Sequence, residues 1–131
     1  MKVLIDTSFI LPILGIEVEG VEDEIKKFPS HEIYYTEISI LESFWVIKRI
    51  EKKTKIDMKR VKEGLRSLRL FKLVKIPFNA YVNAYKLKEK HSDFIDLLLY
   101  FTAKYYSLKF LTLDRKIKEL DTSSIVIDSL S

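Results

Sequence analysis

The chain has 131 residues, of which 47% are hydrophobic and 32% charged, a composition that is typical of a folded domain and excludes a disordered chain. It has no cysteine, which excludes disulfides, thiolate catalysis and cysteine-ligated zinc, while its net charge of +4 weakly favours a nucleic-acid partner. We find no signal-peptide pattern and no uncharged stretch long enough to span a bilayer, so we expect a soluble, cytoplasmic protein with a single domain over residues 1–131.

The first half of the chain is predicted to form two strands and four helices. Apolar runs mark the strands, while amphipathic spacing, N-capping residues and a proline mark the boundaries of the helices. In chain order, we predict a strand over Lys2–Asp6, a short helix over Ser8–Leu14, a helix over Val21–Phe28, a strand over Glu32–Tyr35, a long helix from an N-cap at Thr36 to about Lys53, and a helix from about Asp57 to Leu68.

The second half is predicted to form three strands and three helices. In chain order, we predict a strand over Leu73–Ile76, a helix from about Asn79 to Lys90, an apolar and therefore buried helix from a cap at Ser92 or Asp93 to about Tyr106, a strand over Phe110–Thr112, a short helix over Arg115–Leu120, and a strand over Ile125–Ile127. Strands that alternate with helices predict an α/β fold with a mostly parallel sheet and helices on both faces. Ligands of such sheets bind beyond the carboxyl ends of the strands.

Four acidic residues stand inside or at the end of apolar runs, where an unpaired carboxylate is costly. They are Asp6 in KVLIDTSF, Glu42 in ISILESFWVI, Asp96 in FIDLLLYF and Asp114 in FLTLDRK. Two of them end predicted strands and the other two lie early in predicted helices, so all four can meet at one edge of the sheet. Converging carboxylates predict a divalent cation, as in a nuclease or phosphoryl-transfer site. Crowding of like charges should also raise the pKa of at least one of them in the metal-free protein.

Each of these acids also has a simpler structural interpretation. Asp6 and Asp114 could cap the helices that follow them, and Glu42 could lie at the edge of an amphipathic helix. Asp93 and Asp96 share one helix face at a spacing of i, i+3, so one of them is expected to cap the helix. Asp96 directly precedes the run LLLYF, which favours Asp96 as the inward-pointing acid and Asp93 as the cap.

Four motifs in order resemble the PIN domain, and the chain is similar in size and layout to the VapC-type toxin ribonucleases. The motifs are Asp-Thr-Ser at Asp6–Ser8, the acid Glu42 on the next long helix, an Asp and an Ala seven residues apart at Asp96–Ala103, and Thr-x-Asp at Thr112–Asp114. Asp96 and Asp114 are 18 residues apart, which is similar to the spacing of that family.

The resemblance implies a parallel five-stranded sheet, an acidic Mg²⁺ or Mn²⁺ site, frequent homodimers and, for a toxin, an antitoxin partner. It also implies cleavage of single-stranded RNA that leaves a 5′-phosphate and a 3′-hydroxyl. By matching position, the metal ligands and catalytic residues are Asp6, Glu42, Asp96 and Asp114, with Ser8 and Thr112 as polar supports. The chain departs from the family at Lys116, where members often have an acid or Asn, which weakens the case for a second metal ion. The additional acid Asp93 stays a contender for the third ligand.

One predicted helical face carries basic residues at spacings of 3, 4 and 3, namely Lys59, Lys62, Arg66 and Arg69. We interpret this face first as a solvated one, with contact to an RNA backbone as the alternative. A second basic block between Lys48 and Lys55, which includes Arg49, has the same two interpretations. His31 and His91 share no metal-ligand spacing and are predicted to lie on the surface.

These features together predict a Mg²⁺-dependent endoribonuclease whose carboxylates hold one or two metal ions. No lysine or histidine general base is evident, so activation of water falls to the metal or to an unpaired carboxylate. The alternative hypothesis is a catalytically weak PIN-like module that binds RNA or regulates a partner. Metal-dependent cleavage of single-stranded RNA distinguishes the two.

Overall fold

Five strands form one parallel sheet in the computed structural model, which describes residues 1–131. The strands are β1 (Lys2–Ile5), β2 (Glu32–Tyr35), β3 (Lys72–Leu73), β4 (Lys109–Leu111) and β5 (Val126–Ile127). Their order across the sheet is β3-β2-β1-β4-β5, and every neighbouring pair is parallel. The predicted parallel five-stranded sheet is confirmed.

Helices cover both faces of the sheet. They are α1 (Thr7–Ile13), α2 (Glu22–Ile25), α3 (Glu37–Glu51), α4 (Met58–Ser67), α5 (Phe78–Lys86), α6 (Phe94–Tyr105) and α7 (Arg115–Leu120), with short 3₁₀ helices at Phe28–Ser30 and Leu68–Leu70. Alternate residues of the central strand β1 point to opposite sides, so Val3 and Ile5 enter one apolar cluster with α1 and α4, and Leu4 enters another with α5 and α6. The longest helix has 15 residues, and none combines the length and the apolar composition that crossing a membrane requires.

Two elements are shorter than the sequence predicts. The edge strand β3 pairs only at Lys72–Leu73, although the N–H of Val74 still donates to the carbonyl of Tyr35 at 2.9 Å. The chain then leaves the sheet because Pro77 begins α5 as its N-cap residue. In the predicted helix over Val21–Phe28, only the four residues of α2 are α-helical, and the chain continues into the 3₁₀ helix that contains the next proline.

A single glycine brings α4 close to α1. Gly64 is buried, and a Cβ atom built on it would lie 2.2 Å from the carbonyl oxygen of Ile13 and 2.8 Å from the Cα of Leu14. No side chain fits in that space, so only glycine permits this approach. Arg60 of the same helix donates from Nη1 to the carbonyl of Ile13 at 2.9 Å. These contacts fix the carboxyl end of α1, whose amino end directly follows Asp6.

The large apolar side chains of α5 are exposed, and its small ones are buried. Its small residues Ala80 and Ala84 are buried in the cluster formed with α6. Its large apolar residues are exposed, and their spacing of i, i+3, i+4 and i+7 places them on one face: Phe78, Tyr81, Val82 and Tyr85. We call this surface the α5 face. Contiguous exposed apolar surface of this kind marks a place where another molecule binds.

Candidate active site

The four acids that the sequence singles out line one cavity at the carboxyl end of the sheet. Asp6 follows β1, Asp114 follows β4, Glu42 lies in the second turn of α3, and Asp96 lies in the first turn of α6. All four contribute to the wall of a cavity of about 380 Å³, a volume that suits a small ligand or a nucleotide. The parallel sheet brings them together because the carboxyl ends of adjacent strands lie at the same edge.

Asp6 is the most deeply buried of these acids, with 5% of its surface exposed. Its Oδ1 accepts a hydrogen bond from the N–H of Ser8 at 2.9 Å and caps α1, and its Oδ2 accepts one from the hydroxyl of Thr112. Burial nevertheless raises the pKa of Asp6 to about 7, because it outweighs the hydrogen bonds from Thr112 and Ser8, and the charge of Glu42 adds to the increase. The metal-free carboxyl is therefore partly protonated at neutral pH.

The hydroxyl of Thr112 connects two of the acids. It donates to Asp6 Oδ2 and accepts a hydrogen bond from the N–H of Asp114 at 3.1 Å. Thr112 is 2% exposed, so neither bond competes with water. The geometry agrees with the polar support that the resemblance assigns to this residue.

Asp93 and Asp96 have different surroundings, although both line the cavity. Asp93 is the N-cap of α6, and its Oδ1 accepts hydrogen bonds from the N–H groups of Ile95 and Asp96 at 3.0 and 3.3 Å. Asp96 has no such role. Its pKa is raised far above the ordinary value, chiefly by burial, then by a hydrogen bond with the Asp114 carboxyl and by the charge of Asp93.

Asp114 caps α7 and also faces the cavity, so the structural and the functional interpretations of this acid are compatible. Its Oδ1 accepts a hydrogen bond from the N–H of Lys116 at 2.9 Å. Partial burial would raise the pKa of Asp114, but the hydrogen bonds from Asp96 and His91 and from the Lys116 amide outweigh it, so the pKa lies below the ordinary value. The two carboxyl groups therefore act on each other, since Asp114 raises the pKa of Asp96 and Asp96 lowers that of Asp114.

Glu42 lies on the face of α3 that lines the cavity, together with Val46 and Arg49 at spacings of i+4 and i+7. Burial raises the pKa of Glu42 and the nearby hydroxyl of Thr7 lowers it, although that hydroxyl has no hydrogen-bond partner. The charge of Asp93 raises the pKa further, and the charge of Arg49 lowers it. Arg49 is the only basic residue in the wall of the cavity. Arg49 belongs to the basic block between Lys48 and Lys55 and is exposed, and its spacing of seven residues from Glu42 places both on the same helix face.

The expected effect of crowding on the acids is present but secondary. The pKa values of Asp6, Glu42 and Asp96 are all raised, and for each of them burial is the largest cause. Repulsion by neighbouring carboxylates adds a smaller increase. The site is therefore defined first by the low polarity around the carboxyl groups and only then by their number.

The prediction that His91 lies on the surface is wrong. His91 is 6% exposed, its Nε2 lies 2.7 Å from Asp114 Oδ2, and its Nδ1 accepts a hydrogen bond from the N–H of Asp93 at 2.9 Å. Its neighbours in sequence are polar, so composition gives no sign of the burial, which accompanies its contacts with Asp93 and Asp114. The only sequence signal is its position two residues before a capping aspartate. His31, in contrast, is half-buried and bonds to the carbonyl of Ser131 at 3.0 Å.

The predicted basic face, which we call the basic face of α4 although Arg69 lies in the 3₁₀ helix after it, does not line the acidic cavity. Its four residues are exposed, none of them forms a salt bridge, and none lines the cavity: Lys59, Lys62, Arg66 and Arg69. Both interpretations of this face, a solvated surface and an RNA contact, are compatible with its exposure.

The donors in the cavity fit a hard divalent cation. They are carboxylate oxygens, the ligands that Mg²⁺ and Mn²⁺ prefer. Because burial disfavours the ionised form of three of these acids, a cation among them would restore their charge and remove that cost. The closest group of potential ligand atoms includes a nitrogen, since His91 Nε2 and oxygens of Asp96 and Asp114 all lie within 4.8 Å of one another.

Comparison with known proteins shows the fold and the family to which the chain belongs. No curated protein gives a significant sequence match. Solved structures with a similar fold include the crystal structure of PAE2754 from Pyrobaculum aerophilum, with a TM-score of 0.67 and 15% identity over 98% of this chain and 90% of that one. A toxin-antitoxin complex from Klebsiella pneumoniae is similar with a TM-score of 0.64 and 17% identity over 96% of both chains. At such identities these structures show the fold alone. The sequence also matches the family model of the PIN domain over residues 3–123, so the chain belongs to the PIN domain family.

Proposed function

We propose that the chain is a metal-dependent endoribonuclease that hydrolyses single-stranded RNA. PIN domains are typically nucleases, and the observation that carries the proposal is the meeting of four buried or half-buried acids in one cavity. In the proposal, which follows the resemblance and the shared cavity, the metal ligands and catalytic residues are Asp6, Glu42, Asp96 and Asp114, supported by Ser8, Asp93 and Thr112.

Mg²⁺ or Mn²⁺ is the proposed cofactor, because the proposed ligand set consists of carboxylate oxygens. When bound, the ion would favour ionisation of an attacking water and offset negative charge on the scissile phosphate. The protein's own contribution is to hold the acids. Thr112 fixes Asp6 through its hydroxyl, and the amide of Lys116 fixes Asp114.

Arg49 is the proposed contact for RNA inside the cavity. It is the only cation in a wall that otherwise contains five acids, and a guanidinium group binds phosphate oxygens in pairs. In this proposal the carboxylates would hold the ion that offsets the charge of the scissile phosphate, and Arg49 binds the same or the adjacent phosphate. The exposed basic face of α4 is a second, outer candidate for the RNA backbone.

An antitoxin partner is part of the proposal. It is supported by the similarity to a structure described as a toxin-antitoxin complex. Such a ribonuclease would act in the cytoplasm, where its RNA substrate and a cognate antitoxin are both made. Co-purification of the chain with the product of an adjacent small reading frame, and inhibition of cleavage by that product, would test the pairing.

A homodimer formed through the α5 face is also part of the proposal. Phe78 is 82% exposed on this face, and three further large apolar residues surround it. Light scattering should show a dimer for the wild-type protein and a monomer for the double variant Val82→Lys/Tyr85→Lys. Met58→Lys, which changes an exposed apolar residue of α4, is the control and should stay dimeric. A wild-type monomer at the concentrations used for cleavage would contradict this part.

Cleavage of a labelled single-stranded RNA tests the enzymatic function directly. We expect cleavage with Mg²⁺ or Mn²⁺, none with EDTA, and products with a 5′-phosphate and a 3′-hydroxyl. Asp6→Asn should abolish it, whereas Asp128→Asn should not. Both acids directly follow a strand, but Asp128 is exposed and paired with Lys118, so it is a matched control. RNA binding without cleavage in either metal would instead favour the catalytically weak RNA-binding module.

A further inference from the structure

We infer that His91 is a positioning residue: it holds Asp114 by donating a hydrogen bond from Nε2, and it is not itself a metal ligand. The inference rests on the proposed function in one respect, which is that Asp114 takes part in a metal site. The position of the ring proton, however, follows from contacts within the metal-free protein.

The two ring nitrogens of His91 have fixed and different roles. Nδ1 accepts a hydrogen bond from the N–H of Asp93 at 2.9 Å, so it carries no proton. The proton of the ring therefore resides on Nε2, which lies 2.7 Å from Asp114 Oδ2 and donates to that carboxylate. Only 3% of the His91 side chain is exposed, so water does not replace either partner.

This tautomer excludes His91 from the coordination sphere, even though its distance from Asp96 and Asp114 would permit a shared ion. A metal binds the lone pair of a ring nitrogen, and the lone pair of Nε2 is occupied by a proton. Moving that proton to Nδ1 would set two N–H groups against each other at the Asp93 amide, with no acceptor for either. Only oxygen donors remain for the ion, and this donor set favours Mg²⁺ or Mn²⁺ over softer metals.

His91 also joins two helix ends that face the cavity. Through Nδ1 it bonds the capping residue of α6, and through Nε2 it bonds Asp114, the capping residue of α7. Each oxygen of Asp114 then has one donor, the amide of Lys116 on Oδ1 and His91 on Oδ2. Outer partners of this kind orient a ligand, and losing one typically lowers metal affinity by about 10-fold to 100-fold.

The tautomer can be observed in the wild-type protein. We would label histidine with ¹⁵N and record long-range ¹H–¹⁵N correlation spectra without metal and with saturating Mg²⁺. Signals of the two histidines are separated by comparison with His31→Gln. A proton on Nε2 of His91 under both conditions is expected. A proton on Nδ1, or loss of the Nε2 proton when Mg²⁺ binds, would overturn the inference.

Metal affinity of matched variants supplies the second readout. His91→Leu removes the donor to Asp114 and should weaken Mg²⁺ and Mn²⁺ binding, measured by calorimetry, by the same factor of about 10. His91→Gln retains an N–H donor and should stay within about threefold of wild type, as should the control His31→Leu. A selective loss of Mn²⁺ binding, or no loss in His91→Leu, would contradict the inference.

The two proposals fail in different ways. A wild-type protein that binds neither Mg²⁺ nor Mn²⁺ would contradict the metal site and thus the proposed function. The spectrum of the metal-free protein would still decide where the ring proton of His91 lies. If His91→Leu does not fold, the spectra of the wild-type protein alone decide the inference.

Discussion

The two ends of the sheet contain acidic side chains in opposite surroundings. At the amino end, Glu32 of β2 accepts hydrogen bonds from the ammonium group of Lys72 and, at 2.7 Å, from the hydroxyl of Tyr34. The hydrogen bond from Lys72 is the main reason why the pKa of Glu32 lies below its ordinary value. At the carboxyl end, five acids share a cavity with Arg49, and burial raises the pKa of Asp6 to about 7.

The contrast indicates that acids of a binding site can be recognised because they lack enough cationic partners within the protein. Glu32 at the amino end has a lysine as its partner, whereas the five acids that line the cavity at the carboxyl end have only Arg49 among them. Cavity size alone would select the amino end as the binding site, because its cavity is the larger one, at about 660 Å³. That cavity is lined mainly by apolar groups such as Phe28 and Ile33. The smaller acidic cavity of about 380 Å³ is the one that contains reactive groups.

The largest effect is expected when the charge of Asp96 is removed. Asp96→Asn should lower the rate of RNA cleavage by about 100-fold or more, as for loss of a principal electrostatic group. Asp93→Asn should matter much less, because Asn can still cap α6. At the amino end, Glu32→Gln should leave cleavage unchanged. Initial rates with the same labelled RNA check the ranking, and a slower Asp93→Asn than Asp96→Asn would reverse the assignment of the third ligand.

The stability of the metal-free protein should fall as the pH rises. A carboxyl whose pKa is higher in the folded than in the unfolded state stabilises the fold below its unfolded pKa, and that contribution is lost as the pH rises through the folded pKa. For Asp6 the window runs from 3.8 to about 7, and the raised pKa values of Glu42 and Asp96 act in the same direction. The lowered pKa values of Asp114 and Asp121 act below this window, where stability is lost as the pH falls.

We therefore expect the Tm of the metal-free protein to be lower at about pH 8 than at about pH 5 by roughly 5 °C or more. Saturating Mg²⁺ should remove most of the difference, because it binds the folded, ionised site. Asp6→Asn should show a smaller pH dependence without metal, and Asp128→Asn should behave as wild type. Identical metal-free Tm values at both pH values would mean that ionisation of the acids at the carboxyl end does not destabilise the fold, and would contradict the contrast with the amino end.

A moderate effect is expected when the one cation of the acidic cavity is removed. Arg49→Gln should lower kcat/KM for RNA by about 10-fold, the size expected for a lost hydrogen bond to a charged group. Mg²⁺ affinity should not weaken, because a positive charge near the acids disappears. Lys48→Gln, an exposed neighbour in α3 that does not line the cavity, is the matched control. An equal loss in both variants would make Arg49 part of a general basic surface.

The smallest effect is expected at the basic face of α4. If this face contacts RNA, Lys62→Ala/Arg66→Ala should flatten the dependence of log binding constant on log salt by about 1 to 2 units, since each phosphate contact in single strands contributes about 0.7. Mg²⁺ affinity should stay unchanged. Filter binding at several salt concentrations measures the slope. An unchanged slope and affinity would identify the face as solvated surface.

The sheet and the four acids could be predicted from the sequence for a physical reason. Each acid stands inside or at the end of an apolar run, where burial of an unpaired carboxylate would lower the stability of the fold. Four such acids therefore predict that the carboxylates lie together. The alternation of strands and helices then places strand ends at one edge of a sheet. Both signals are local patterns of polarity, which a sequence records directly.

His91, the α5 face and the length of β3 could not be predicted in this way. His91 is buried although its neighbours in sequence are polar, because it contacts Asp114, which is 23 residues away in the chain. In α5, the periodicity indicates a helix but not that Ala80 and Ala84 form its buried side. β3 is an edge strand whose second side has no partner, so its length depends on where the following helix begins. All three are decided by tertiary contacts.

Gly64 packs against the carboxyl end of α1, the helix whose first residues line the acidic cavity. Helix α1 is a rigid spacer of about 10 Å, with Thr7 and Ser8 at the cavity and Ile13 against Gly64. A methyl group at position 64 has no room beside the carbonyl of Ile13, so the helix would have to move as a unit. A side chain at position 64 is therefore expected to displace Thr7 and Ser8 and so to change the width of the cavity, although position 64 does not line it.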